Sequence, residues 1–127
     1  MARQLLDSDI LIDFLRGHAA AWSFMARLHE GGEAPLISTI SVAEVLAGAQ
    51  RGEEEATERL LSVLEKIPVS ESIARYAGGF LRAYQRSHGL ELGDALVAAT
   101  ALVTGATLVT RNVKHYPMPQ VEAQRPY

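Results

Sequence analysis

The chain has 127 residues, too few for two ordinary domains and enough for one with a proper core. Its 48% hydrophobic and 21% charged residues are those of a globular protein and exclude wholesale disorder. With no cysteine, disulfides, thiolate metal sites and a thiol nucleophile are excluded together, and a net charge of −3 leaves any nucleic-acid binding to a local basic patch.

No apolar run is long enough for a membrane span, and the first residues lack the layout of a signal peptide. The expected compartment is therefore the cytoplasm, with no membrane among the partners. Neither a repeat nor a linker interrupts the chain, so a single domain over residues 1–127 is expected.

In chain order, "RQLL" reads as a buried strand ending at Asp7, and "SDILIDFLRG" as a short helix closed by Gly17. "HAAAWSFMARLHEGGE" has helical spacing at Trp22, Met25 and Leu28 and stops at the Gly31–Gly32 pair. "APLIST" is a second strand, "ISVAEVLAGAQRG" a helix ending near Gly52, and "EEEATERLLSVLEK" an amphipathic helix with an acidic start suited to the helix dipole. "IPVS" is expected as the third strand, "ESIARYAGGFLRAYQRSHG" as a long helix, and "LGDALVAATALVTGA" as a helix apolar on nearly every face and hence buried. "TLVTRN" is a fourth strand and "VEAQ" a fifth. Alternating strands and helices argue for an α/β fold, a parallel sheet between helical layers, with its site beyond the carboxyl ends of the strands.

Several acids sit in unsuitable company. Asp7, Asp9 and Asp13 fall within "LLDSDILID", Glu44 is flanked by Val42, Ala43, Val45 and Leu46, and Asp94 opens the most apolar helix. Burying a carboxylate is costly unless something compensates. Taken singly, Asp7, Ser8 or Asp94 can be a helix N-cap, and Asp13 a surface acid countered by Arg16 three residues on. Glu44, at an interior helix position, has no backbone N–H to satisfy, and its plain alternative is a surface glutamate.

Taken jointly, a strand-end acid, one in the helix after the next strand and one at the front of the penultimate helix can meet at one sheet edge. There they would repel and take up protons, unless a divalent cation relieved the conflict. Oxygen donors without cysteine or a His-x-x-x-His pair favour Mg²⁺ or Mn²⁺ over zinc. Such a site suits phosphodiester hydrolysis.

At these residues the chain resembles the PIN-domain ribonucleases, specifically the VapC-type toxins of type II toxin–antitoxin pairs. The resemblance rests on "LLDSDILIDFLRG", "STISVAEVLAGAQRG", "HGLELGDALVAATALVTGATLVTRNVKHYP" and the closing "RPY", in that order and spacing. It implies a three-layer α/β/α fold and a Mg²⁺- or Mn²⁺-dependent endoribonuclease, with Asp7, Glu44 and Asp94 as metal-binding catalytic acids. Ser8 would help to position water or phosphate, Thr110 would line the same pocket, and Asp9 would support them. It further implies a homodimer and a small VapB-type antitoxin whose C-terminal segment wraps the toxin. Many PIN domains carry a fourth acid after the fourth strand. This chain reads "TRNVKHY" there, with Asn112 in the expected slot, which leaves one or two metal ions open.

For an RNA substrate, Arg111 and Lys114 are the expected phosphate contacts. Arg82 and Arg86, four apart, read as a solvated stripe, and His115, with no carboxylate partner in its motif, as structural. Trp22 and Met25 lie on one side of their helix and Phe24 on another. This gives either ordinary core packing or a groove by the first two helices for an apolar partner segment. Two other readings stand beside the nuclease. "DSD" is similar to the D-x-D of haloacid-dehalogenase-like phosphatases, but Leu11 stands where threonine or valine is wanted and no later acidic pair is visible. A PIN-like module that binds RNA or protein without cutting is the second.

Overall fold

The computed structural model describes residues 2–127. Five short strands, β1 (Gln4–Leu6), β2 (Leu36–Ser38), β3 (Glu65–Ile67), β4 (Thr107–Val109) and β5 (Ala123–Gln124), form one sheet. Their order is β3-β2-β1-β4-β5, and every neighbouring pair is parallel. Six helices join them: α1 (Ser8–Leu15), α2 (Ala19–Glu30), α3 (Thr39–Gly48), α4 (Glu54–Ser62), α5 (Glu71–His88) and α6 (Leu92–Thr104), with a 3-10 turn at Val113–His115.

Alternation along the strands builds the three layers. Leu5, Leu36 and Leu108 join a core with Ile73, Ala77 and Phe80 of α5 and the alanines of α6. Their sequence neighbours Leu6, Ile37 and Val109 point the other way, into a core with Ile10, Leu11, Phe24, Val45 and Leu61. A sheet buried on both faces reads as continuous apolar runs, as these strands do. The α/β/α architecture expected from the sequence is thus the one observed. Every residue of α6 from Ala95 to Ala101 is buried, and its small side chains allow α5 and the sheet to approach closely. Gly105 closes this helix in the left-handed region, at φ 70°, which a side chain would strain.

The third strand departs from expectation. It was expected at "IPVS", with the preceding helix reaching Lys66; instead α4 stops at Ser62 and Glu65–Ile67 pairs with β2, Leu36 facing Glu65. Both Glu65 and Lys66 are exposed, because β3 is an edge strand, so apolar periodicity gave no sign of it. Pro68, which has no N–H to give a ladder, follows immediately.

Three of the parallel strands deliver side chains to one edge. Asp7 follows β1, Ser38 ends β2 and caps α3, and Thr110 follows β4. Among the described residues no helix is long and apolar enough to cross a membrane.

Candidate active site at the carboxyl edge of the sheet

Asp7 occupies the centre of this edge and is only 8% exposed. Its Oδ1 accepts the Ser8 N–H at 2.9 Å, so it does cap α1. Its Oδ2 accepts both the Thr110 hydroxyl at 2.9 Å and the Tyr116 hydroxyl at 2.8 Å. Capping and a role in the site are therefore not alternatives. The N-cap places the carboxylate where β1 ends, and two long-range donors fix its other oxygen.

Asp9, in the first turn of α1, aims at the segment after β4. Its Oδ2 accepts the Arg111 N–H at 2.9 Å, the Asn112 side-chain amide at 3.3 Å and, at 3.4 Å, the Thr110 hydroxyl. Its Oδ1 is buried with no hydrogen-bond partner among the described residues. Burial and then the charge of Asp7 push its carboxyl up to about 6.

Glu44 and Asp94 approach from α3 and α6. The Ser8 side chain favours the charged form of Glu44, and a Cβ on Gly93 would lie 3.3 Å from Glu44 Oε2, so the glycine beside Asp94 gives Glu44 room. Asp94 Oδ1 lies 3.4 Å from the Tyr116 hydroxyl that also serves Asp7. Both acids are held above the ordinary carboxylate range, in each case by loss of hydration first and by Asp7 second. In Asp94 a charged His115 and the Tyr116 hydrogen bond oppose that rise.

Glu44 is not enclosed by its aliphatic neighbours as expected. α3 packs through Ser41 and Val45, one turn apart, so Ala43, Glu44 and Leu46 lie on the exposed side. The cleft is thus open to water beside Glu44 and closed beside Asp7.

Asp7, Glu44 and Asp94 therefore share one edge, although among the described residues no three His, Asp or Glu side chains close on a single point. The donor set suits a hard divalent cation: carboxylate oxygens that raise one another's proton affinity, and a buried Asp9 oxygen with no donor to meet.

Two partnerships differ from expectation. Asp13 pairs with Arg111, Nη1 to Oδ2 at 2.8 Å, and not with Arg16, which reaches Glu53 at 3.5 Å and the Gly48 carbonyl at 2.9 Å. The three-residue offset in α1 turns Asp13 toward the sheet edge and Arg16 toward α3. His115 has a carboxylate partner after all, with Nδ1 3.7 Å from Asp94 Oδ2, whereas the Asn112 amide is turned to Asp9. Lys114 is exposed on the 3-10 turn beside them.

Tyr116 was missed by sequence reasoning. Its signal was a lone phenol in the turn after β4, within "KHYP". The ring is buried, and burial followed by the charge of Asp7 holds its hydroxyl far above the usual range, so it stays a donor.

Between α1, α2 and α4, Phe14 and Trp22 stack at 4.5 Å and the Trp22 indole N–H donates to the Phe14 carbonyl at 2.8 Å. With Leu15, Met25, Leu60 and Val63 they line an apolar groove of about 500 Å³. Trp22 and Val63 are 55% and 62% exposed there, while Phe24 is buried in the core.

Comparison with known proteins accords with this geometry. The PIN domain family matches residues 5–119. Ribonuclease VapC10 of Mycobacterium tuberculosis is 45% identical over 116 residues, covering 90% of this chain and 86% of that protein. Ribonuclease VapC19 of the same organism is 41% identical over 116 residues, covering 91% and 93%. Among solved structures, a toxin–antitoxin complex from Klebsiella pneumoniae contains a chain 31% identical, with a TM-score of 0.76 and 98% of each chain covered. The chain belongs to the PIN-domain family and, within it, to the VapC-type ribonuclease toxins of type II toxin–antitoxin systems.

Proposed function

We propose that this ribonuclease cuts RNA internally, with Asp7, Glu44 and Asp94 holding Mg²⁺ or Mn²⁺. The observation that carries the reading is convergence: the Tyr116 hydroxyl reaches both Asp7 at the end of β1 and Asp94 on α6, and Gly93, beside Asp94, lies against Glu44 of α3. When bound, the cation would supply a lowered pKa for water and compensation for charge developing on the phosphate. The chain's own residues do the rest. Thr110 fixes Asp7, Ser8 favours the charged form of Glu44, Asp9 and Asn112 hold the segment after β4, and Arg111 and Lys114 meet the RNA backbone. The protein works in the cytoplasm, as a homodimer.

A cognate VapB-type antitoxin seats an apolar segment in the Trp22–Val63 groove. Exposed aromatic and aliphatic side chains around a preformed cleft are what a partner segment with apolar anchors requires.

The test is cleavage of single-stranded and structured RNA in Mn²⁺, with metal uptake followed by calorimetry. Asp7→Asn and Asp94→Asn are expected to abolish cleavage and weaken uptake, while Glu71→Gln, at an exposed position of α5, leaves both unchanged. Absence of cleavage and of metal uptake in the parent protein would instead favour the non-cutting module.

A further inference from the structure

We infer that Tyr127 and Asp13 are positioning residues for Arg111, and that the segment after β5 is thereby part of the RNA-binding edge. This rests on the reading of Arg111 as a phosphate contact.

Arg111 is held in three places. Its backbone N–H donates to Asp9 Oδ2 at 2.9 Å, its carbonyl accepts Arg125 Nη1 at 3.1 Å, and its own Nη1 donates to Asp13 Oδ2 at 2.8 Å. The hydroxyl of Tyr127 donates to that same Asp13 oxygen at 2.7 Å. Arg125 and Tyr127 thus approach Arg111 from one short segment, the first at its backbone and the second at its counter-ion. Tyr127 is fixed in turn. It packs against the core that includes Leu11 and Phe24, and its ring stands 5.2 Å from that of His18.

The exposures give the arrangement a direction. The Asp13 side chain is 16% exposed and that of Arg111 46%, so the acid is recessed and the guanidinium stands outward with further N–H groups open to solvent. A free arginine loses considerable rotamer freedom on meeting a phosphate. One already fixed by a recessed acid, itself fixed by a tyrosine, loses less and binds better. Asp13 has two donors on one oxygen, so part of its charge is spent on Tyr127 rather than on cancelling Arg111.

The experiment uses the full chain in an Asp94→Asn background, expected to bind without cutting. A fluorescein-labelled single-stranded RNA is titrated in Mg²⁺ by anisotropy at several salt concentrations. Arg111→Ala is expected to weaken binding about tenfold and to flatten the log–log salt slope by about 0.7. Tyr127→Phe is expected to weaken it about threefold, and to add nothing once Arg111 is gone. In the protein with Asp94 restored, Tyr127→Phe should raise KM and leave kcat within about twofold. Asp13→Asn, which keeps the ring of Tyr127 in place, should show the same dependence on Arg111. Equal losses with and without Arg111, or a fall in kcat at constant KM, would reduce Tyr127 to a staple of the fold and overturn the inference. An unchanged affinity and slope in Arg111→Ala alone would refute the phosphate role of Arg111 itself, and the positioning role with it.

Discussion

Tyr116 donates its hydroxyl to Asp7 Oδ2 at 2.8 Å across 109 positions of sequence, and that hydroxyl also lies 3.4 Å from Asp94 Oδ1. One phenol therefore sets the spacing between an acid at the end of β1 and an acid at the start of α6. It must come from the turn after β4, because that strand pairs with β1 and ends level with it, Val109 opposite Leu6.

Tyr116→Phe removes this spacer while leaving Asp7 its Thr110 donor. A hydrogen bond to a charged group contributes about 1.5–3 kcal/mol, but the ring would stay buried and the remaining donor limits the loss. The expected outcome is a folded protein, destabilised by about 1 kcal/mol, that binds Mn²⁺ on the order of ten times more weakly. Calorimetric titration of metal and a thermal melt check the two parts separately. Unchanged metal affinity would leave Tyr116 a core residue only.

The acids make stability depend on pH in an unusual direction. Asp9 is raised from an ordinary 3.8 to about 6, and Glu44 and Asp94 move the same way. Between about pH 4 and 6 the folded state therefore holds protons that the unfolded chain has released. Stability from these groups is present at low pH and lost as pH rises through the folded values. A difference measurement between parent and variant isolates the effect. Asp9→Asn is expected to raise the melting temperature of metal-free protein by a few degrees at pH 7 and hardly at pH 4. About 1 kcal/mol is involved, allowing for the partial exposure of Asp9. Mn²⁺ should stabilise the parent most at pH 7, and EDTA should reverse that.

What the sequence disclosed and what it hid follow from the same physics. Leu5 and Leu6, or Ile37 and its neighbours, announce a doubly buried sheet because burial selects residue type directly. Asp7, Glu44 and Asp94 are visible as acids among aliphatics, though for Glu44 that inference relied on a burial that α3 does not provide. β3 was expected two residues too late, at "IPVS", because an edge strand is held by backbone bonds, which Glu65 and Lys66 make without any apolar signal. The Asp13–Arg111 pair and the Tyr116 bridge span 98 and 109 positions. Local spacing favours Arg16 for the first and says nothing of the second, since only the pairing of β4 with β1 brings the groups together.

Trp22 and Val63 lie across the groove from one another on α2 and just beyond α4. An apolar segment bound there would cover both and stack on the Phe14–Trp22 pair. Val63→Glu puts a charge into that contact without touching the sheet edge. The expected result is intact ribonuclease activity that the antitoxin no longer neutralises, with affinity between the two lowered by at least about tenfold. The parent complex should also shield Trp22 from a soluble fluorescence quencher. Equal quenching with and without antitoxin would move the seat elsewhere.

Placement of His115 and Asn112 decides where a further carboxylate would matter. The imidazole Nδ1 is 3.7 Å from Asp94 Oδ2, whereas the Asn112 amide donates to Asp9 at 3.3 Å. His115→Asp therefore adds an oxygen donor beside Asp94 on the open side of the cleft. Metal-free, it should be less stable near neutral pH through added repulsion, and it should bind Mn²⁺ more tightly or in greater number than the parent. Asn112→Asp replaces a donor to Asp9 with a like charge. It should push the Asp9 carboxyl above its present value of about 6 and loosen the segment holding Arg111, with no gain in metal binding at Asp94. Calorimetry of the two variants separates these outcomes: tighter metal in Asn112→Asp and none in His115→Asp would place the missing acid's slot at Asn112, against the geometry of this edge.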